Sequence, residues 1–298
     1  MSVVGLCSSM KFNAFLVIVF LALPIPLASF EIPPLLSAAQ GASAPQAAVV
    51  RTAAGAATAD AIARQVDERD TGRDSRLTMT MRLFDRQGRA RERMLTVLGL
   101  RGRAGAGDRV LVRFSYPNDI AGTGFLVWER PGGDDDRFLY LPALGRVRRI
   151  TGAERQESFV GSDFNYEDIG GRAIEDYTYA LVDENANWSD ATGARHPAWR
   201  LESRARDANA TYPRVVSTIR KDNFVVVGAE VFNRRDERAK TYQVTKLTRV
   251  QGIWTAMAST MASATDRTRT ELAVSDARYD TGLAEKDFSR RELESPAR

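Results

Sequence analysis

The chain has 298 residues, with 42 basic against 38 acidic side chains, one cysteine and one histidine. Opposite charges interleave, as in Arg91-Glu92-Arg93 and Asp134-Asp135-Asp136-Arg137, which describes a solvated surface rather than a phosphate-binding stripe and argues against nucleic acid as a partner. Cys7 precedes everything that reads as folded, and His196 stands alone beside Pro197; thiol chemistry, a stabilising disulfide and a zinc cluster therefore have no residues to use.

In chain order, Lys11 precedes an apolar run over 12–23 that Pro24 and Pro26 break. The pattern resembles a secretory signal peptide. The run is short for a bilayer span of about 20 residues, although 12–30 just reaches that length, so an uncleaved N-terminal anchor is the alternative. Cys7 lies before the run and cannot be the lipid-bearing cysteine that follows a lipoprotein signal. Residues 1–44 are assigned to the signal peptide and a low-complexity tether, with the Ala-, Pro- and Ser-rich composition continuing to 57. The folded domain is assigned to 58–293.

Ile62 and Val66 are four apart in a short amphipathic pattern over 59–70, with Gly72 as a stop. The period then changes to two. Leu77, Met79, Met81 and Leu83 alternate with polar residues, Asp85-Arg86-Gln87-Gly88 turns the chain, and 94–100 returns. Further alternating stretches fall at 110–116, 121–130, 137–141 and 146–150. Residues 151–171 break the pattern, with Phe159, Phe164 and Tyr166 among glycines and acids. They read as a structured loop with a helical turn, a candidate lid. Strands resume at 177–182, 198–206, 214–220, 224–233, 240–250, 254–263 and 269–279, and 284–293 reads as a closing helix. Ile253, Met257 and Met261 also fit one helix face, but the surrounding Thr and Ser favour a strand. Many strands with one apolar face make the chain mainly β, a sandwich or a barrel.

Motifs for chemistry are sparse. There is no Gly-x-Ser-x-Gly elbow and no nucleotide-binding glycine loop. Asp163 with Glu167 or Asp168 is the best carboxylate pair for a hydrolase, although acids in a glycine-bounded loop usually cap turns. Arg146 and Arg148 share a strand parity. They suit an anionic head group or an acidic partner, or else a polar strand face paired with Glu154 or Glu157. Met79, Met81, Met257 and Met261 are four of the five methionines after the leader, and this flexible side chain adapts to ligands of variable shape. With Leu83 and the aromatics Trp128, Tyr140, Phe164 and Tyr166 they are the candidate lining of an apolar cavity.

Three stretches carry a family resemblance: Gly122-Thr123-Gly124-Phe125-Leu126-Val127-Trp128, then 137–144, and above all Gly161-Ser162-Asp163-Phe164-Asn165-Tyr166-Glu167-Asp168-Ile169. They resemble the outer-membrane lipoprotein-sorting protein family with its LolA-like domain, and the likeness extends over about 60–293. It implies a half-open antiparallel β-barrel of about ten or eleven strands, with a few short helices as a lid and an apolar cavity that shelters acyl chains in the periplasm. It further implies a lipid or acylated protein as cargo, an inner-membrane lipid exporter of the resistance-nodulation-division type, an outer-membrane acceptor, and no cofactor. The competing readings are a carboxylate-dependent hydrolase and an envelope assembly factor that pairs its open sheet edge with a partner strand. An integral outer-membrane barrel conflicts with the charged strand faces.

Overall fold

The computed structural model describes residues 11–12, 58–103 and 106–295; apart from Lys11 and Phe12, the leader and tether lie outside the described residues. Helix α1 (Ala59–Glu68) is capped by Thr58, whose Oγ1 accepts a hydrogen bond from the Ala61 amide at 3.2 Å. Its apolar stripe of Ile62, Ala63 and Val66 is buried. The helix stops before Asp70, because Arg69 is already extended.

Strands β1 (Lys11–Phe12) and β8 (Arg172–Ala173) form a two-residue antiparallel pair of their own. All other strands belong to one sheet of thirteen. Its first half contains β2 (Asp74–Phe84), β3 (Ala90–Leu100), β4 (Arg109–Tyr116), β5 (Gly124–Trp128), β6 (Asp136–Leu141) and β7 (Arg146–Ile150). Its second half contains β9 (Tyr177–Ser189), β10 (Arg195–Ala205), β11 (Arg214–Arg220), β12 (Val226–Phe232), β13 (Arg238–Val250), β14 (Ile253–Ser263) and β15 (Thr268–Tyr279). Each strand pairs antiparallel with its neighbour in sequence, and β15 returns to pair with β2. The sheet is therefore open between β7 and β9. The half-open architecture agrees with expectation; the sheet has thirteen strands rather than the ten or eleven that the resemblance implies, and each alternating stretch read from the sequence is a member.

The largest departures from the sequence reading lie in the β9–β10 hairpin and at the C-terminus. Strands β9 and β10 form a long hairpin through the polar stretch 183–190, which reads as a loop. The Asp190 carboxylate closes its turn by accepting from the amides of Thr192 and Ala194 at 2.9 and 3.1 Å, and the buried Trp188 anchors the strand. His196 thus sits within a strand, with its Nε2 3.0 Å from Asp190 Oδ2. The expected closing helix divides into a 3₁₀ turn at Glu285–Phe288 and α2 (Arg290–Glu294), where the Ser289 hydroxyl caps a new start.

Both sheet faces are buried around β4 and β5, which explains their nearly continuous apolar sequence. Phe125 and Val127 point into the main core enclosed by the curved sheet, while Leu126 packs on the opposite face with Leu111, Phe138, Phe288 and Leu293. The two C-terminal segments thus cover the outside of the first half. Helix α1 covers Trp199, Leu201, Ile219, Phe224 and Val226 of the second half in the same manner.

Candidate functional site

Residues 151–171 leave the β7 edge and fold into the space enclosed by the sheet. Short 3₁₀ turns shape them, at Gly152–Gln156, Phe159–Gly161 and Tyr166–Ile169. Phe159, Phe164, Tyr166 and Ile169 are all buried in the main core. The Phe159 ring lies 5.8 Å from Phe114, 5.4 Å from Phe125 and 5.5 Å from Tyr166, measured between centroids. These side chains make an aromatic plug. Beside it remains an apolar cavity of about 20 Å³, bordered by Met79, Met81, Leu95, Val97, Val112, Phe159, Phe164, Ile169 and Leu272. That is room for about one water molecule and not for an acyl chain.

The structure brings together Met79, Met81, Phe164, Tyr166 and Met261 in this core, with Leu83 packed at its rim. Met257 shares the parity of Met261 but is half-buried and lies outside the cluster. Trp128 and Tyr140 must be relocated. Both pack on the opposite sheet face, because Trp128 is one residue out of phase with Phe125 and Val127, and one residue changes the face. Trp128 Nε1 donates to the Phe288 carbonyl at 2.7 Å and its ring meets Phe138 edge-on, so it ties down the C-terminal segment. Arg146 is exposed, and Arg148 pairs with Glu154 at 2.5 Å, as the polar-face alternative has it.

The carboxylates of the loop are each engaged by different hydrogen-bond partners. Asp163 accepts from the hydroxyls of Thr268 and Thr270 at 2.5 and 2.7 Å. Asp168 closes a capping box by accepting from the Asn165 amide at 2.7 Å, and also accepts from the Tyr212 hydroxyl at 3.2 Å. Glu167 accepts from Thr211. The three groups fasten the plug to the second half of the sheet. Cations fasten it too: Arg93 donates to the Val160 carbonyl, and Lys240 Nζ donates to the Asp163 carbonyl and Asn165 Oδ1, each at 2.7 Å. Val160 has a positive φ of 49°, an uncommon conformation for a β-branched residue.

The exit of the loop is fixed to the first half. The Glu129 carboxylate accepts from the Gly171 amide at 3.0 Å. Below it lies a fully buried pair, Asp135 with Arg137 at 2.9 Å. A Cβ on Gly170 would stand 3.2 Å from Arg137 Nη2, so this close approach favours glycine.

At the mouth of the core, where the plug meets β2, β3, β13 and β15, lies an open polar cleft of about 480 Å³. Arg91, Arg93 and Lys240 line it together with Asp85, Asp163 and Asp266. These cations escape the sequence reading, since Arg91 and Arg93 flank Glu92 and look like ordinary surface alternation. The signal was parity: Arg91 and Arg93 continue the inward row of Leu95 and Val97.

An open antiparallel sheet wrapped around an apolar core, with one loop seated inside, defines a LolA-like protein. A candidate outer-membrane lipoprotein-sorting protein domain from Vibrio parahaemolyticus is 31% identical; the match covers 80% of this chain and 98% of that one, with a TM-score of 0.72. A DUF1329 family protein from Desulfovibrio piger is 29% identical over 79% of this chain and 97% of that one, also with a TM-score of 0.72. A LolA superfamily protein from Nitrosomonas europaea, 20% identical over 80% and 100% of the two chains, shares the fold with a TM-score of 0.60. A family profile described as "uncharacterized protein" matches residues 106–295, and no functionally curated protein matches the chain. The chain belongs to the outer-membrane lipoprotein-sorting protein family.

Proposed function

We propose that this protein is a periplasmic carrier that shelters an acyl chain inside the curved sheet, in the place held here by the aromatic plug. The observation that carries the reading is the origin of the core filling. The walls, among them Met79, Met81 and Met261, belong to the sheet, whereas Phe159, Phe164, Tyr166 and Ile169 come from one loop between its two edges. Such a loop is replaceable without breaking the sheet.

Magnitudes favour exchange. Burying a methylene gains roughly 0.8 kcal/mol, so a twelve-carbon chain gains about 10 kcal/mol. Burying four large plug side chains gains about 1.5–3 kcal/mol each, or roughly 6–12 kcal/mol together. The two occupants are closely matched, as a carrier that must load and also release requires.

The plug carboxylates serve as caps and anchors in this reading, and the protein performs no reaction on its cargo. Cargo is a lipid or an acylated protein, supplied by an inner-membrane lipid exporter of the resistance-nodulation-division type and passed to an outer-membrane acceptor; the family resemblance supports these partners. Among the described residues no helix is long and apolar enough to cross a membrane.

Native mass spectrometry of protein purified from the periplasm, followed by organic extraction, tests the reading. A bound species that carries an acyl chain is expected. Protein that is free of lipid from the periplasm, and that takes up none when mixed with lipid in vitro, would contradict it.

A further inference from the structure

Two strands change character from the mouth of the core inwards, and they do so on the same face. On β3 the inward row runs Arg91, Arg93, Leu95, Val97, from exposed to fully buried. On β13 it runs Lys240, Tyr242, Val244, and the last two are core residues. A strand rises about 3.3 Å per residue, so a charged group and the first buried apolar side chain of its row are roughly 7 Å apart. The polar cleft of about 480 Å³ therefore opens directly above the apolar interior.

The charges in the cleft are unequally engaged. Asp85 is held by Arg89 at 2.6 Å, Asp266 by the Ser263 hydroxyl at 2.9 Å with Arg86 at 4.0 Å, and Asp163 by the hydroxyls of Thr268 and Thr270. Arg93 donates to the Val160 carbonyl, while Lys240 donates to the Asp163 carbonyl, the Asn165 amide oxygen and the Tyr212 hydroxyl and has the Asp168 carboxylate at 4.0 Å. Arg91 forms no ion pair among the described residues. Burial, and after it the charge of Arg91, pulls the Arg93 pKa down, with Asp119 acting in opposition. An anion seated between Arg91 and Arg93 would relieve that repulsion and would accept charge-assisted hydrogen bonds from both.

We propose that this cleft is a head-group site, which takes the phosphate or carboxylate of an anionic amphiphile whose hydrocarbon chain enters the interior below. The proposal rests on the carrier reading and adds the chemical class of the cargo. It also places the charged contact at Arg91 and Arg93, away from Arg146 and Arg148.

Calorimetric titration of the purified mature protein with dodecyl phosphate, neutral monododecanoyl glycerol and inorganic phosphate, below micelle concentrations, tests it. Dodecyl phosphate should bind at least about tenfold more tightly than the neutral lipid, and the preference should shrink as salt is added. Arg91→Gln combined with Arg93→Gln should reduce the preference to within about twofold. Because Arg93 also touches the plug, the single exposed variant Arg91→Gln is the control for folding and should lower the preference at least about threefold. Equal affinities for the two lipids, or a preference unchanged in Arg91→Gln, would overturn the head-group site and leave the carrier standing. Inorganic phosphate binding as tightly as dodecyl phosphate would overturn it in favour of a site for the free ion. Failure of both lipids to bind would remove the carrier reading, and the head-group site with it.

Discussion

Val160 takes the plug through the left-handed backbone region, at a cost of roughly 1–2 kcal/mol for a side chain with a Cβ. Burial of Phe159 and Phe164 on either side, at about 1.5–3 kcal/mol each, outweighs that strain while the plug is seated. The buried Asp135–Arg137 pair beneath Gly170 is a second point of leverage. In Asp135→Ala the guanidinium would remain in the interior without its partner, and the expected loss is about 3–5 kcal/mol, read from the urea unfolding midpoint. Nothing local in the sequence marks this pair. Asp134-Asp135-Asp136 looks like an acidic hairpin tip, yet Gly170 of the folded-back loop stands against the Asp135 carboxylate and the Arg137 guanidinium. Non-local coverage of that kind leaves no periodic trace.

Strand β5 shows what alternation can and cannot reveal. Its apolar run is recognisable as a strand, but with both faces buried the pattern does not say which residues face the interior. Phe125 and Val127 do; Trp128 faces the C-terminal segment. Trp128→Ala should therefore lower stability, by up to about 3 kcal/mol in thermal or urea unfolding, while acyl binding persists. Phe164→Asp should instead tighten acyl binding, since a charged plug residue resists seating in the interior and leaves that space to the chain. The distinction is measurable with one fluorescent fatty acid on both variants. The loop at 151–171 is legible as a break in period with aromatics inside it, but its position as a plug is not, because that depends on where β7 and β9 end relative to each other.

The seam between the two halves of the sheet, β2 with β15, has its own lock. The Asp74 carboxylate accepts from the Thr281 amide and hydroxyl at 2.6 and 2.7 Å and from the Gly282 amide at 3.1 Å. Burial works against its charge, but these hydrogen bonds outweigh it and hold the carboxyl below the usual carboxylate range. A lowered folded pKa contributes stability that is complete above the unfolded value of about 3.9 and is lost as pH falls through the lower folded value. Asp74→Asn should accordingly unfold more easily than the wild type at neutral pH, with the difference closing below about pH 4. A constant difference across pH 2–7 in chemical unfolding would assign the effect to packing instead.

The molecule as a whole separates a permanent shell from an exchangeable filling. The thirteen strands are held by continuous pairing from β7 round to β9, and the outer face is closed by α1 and the C-terminal turn and helix. Only the gap between β7 and β9 is bridged by irregular chain. Truncating the filling should therefore act in opposite directions on folding and on loading. Phe159→Ala is expected to lose about 3–5 kcal/mol of stability without ligand and to bind a fluorescent fatty acid more tightly, because the vacated space needs no displacement.

Amide hydrogen exchange of the protein with and without a bound acyl chain reads that exchange directly. Amides in the Phe159–Gly161 and Tyr166–Ile169 turns should lose protection when the chain binds, while those of β2, β3, β4 and β5 keep theirs. Full protection of both turns in the lipid-bound protein would mean that the plug never leaves and that lipid is held elsewhere.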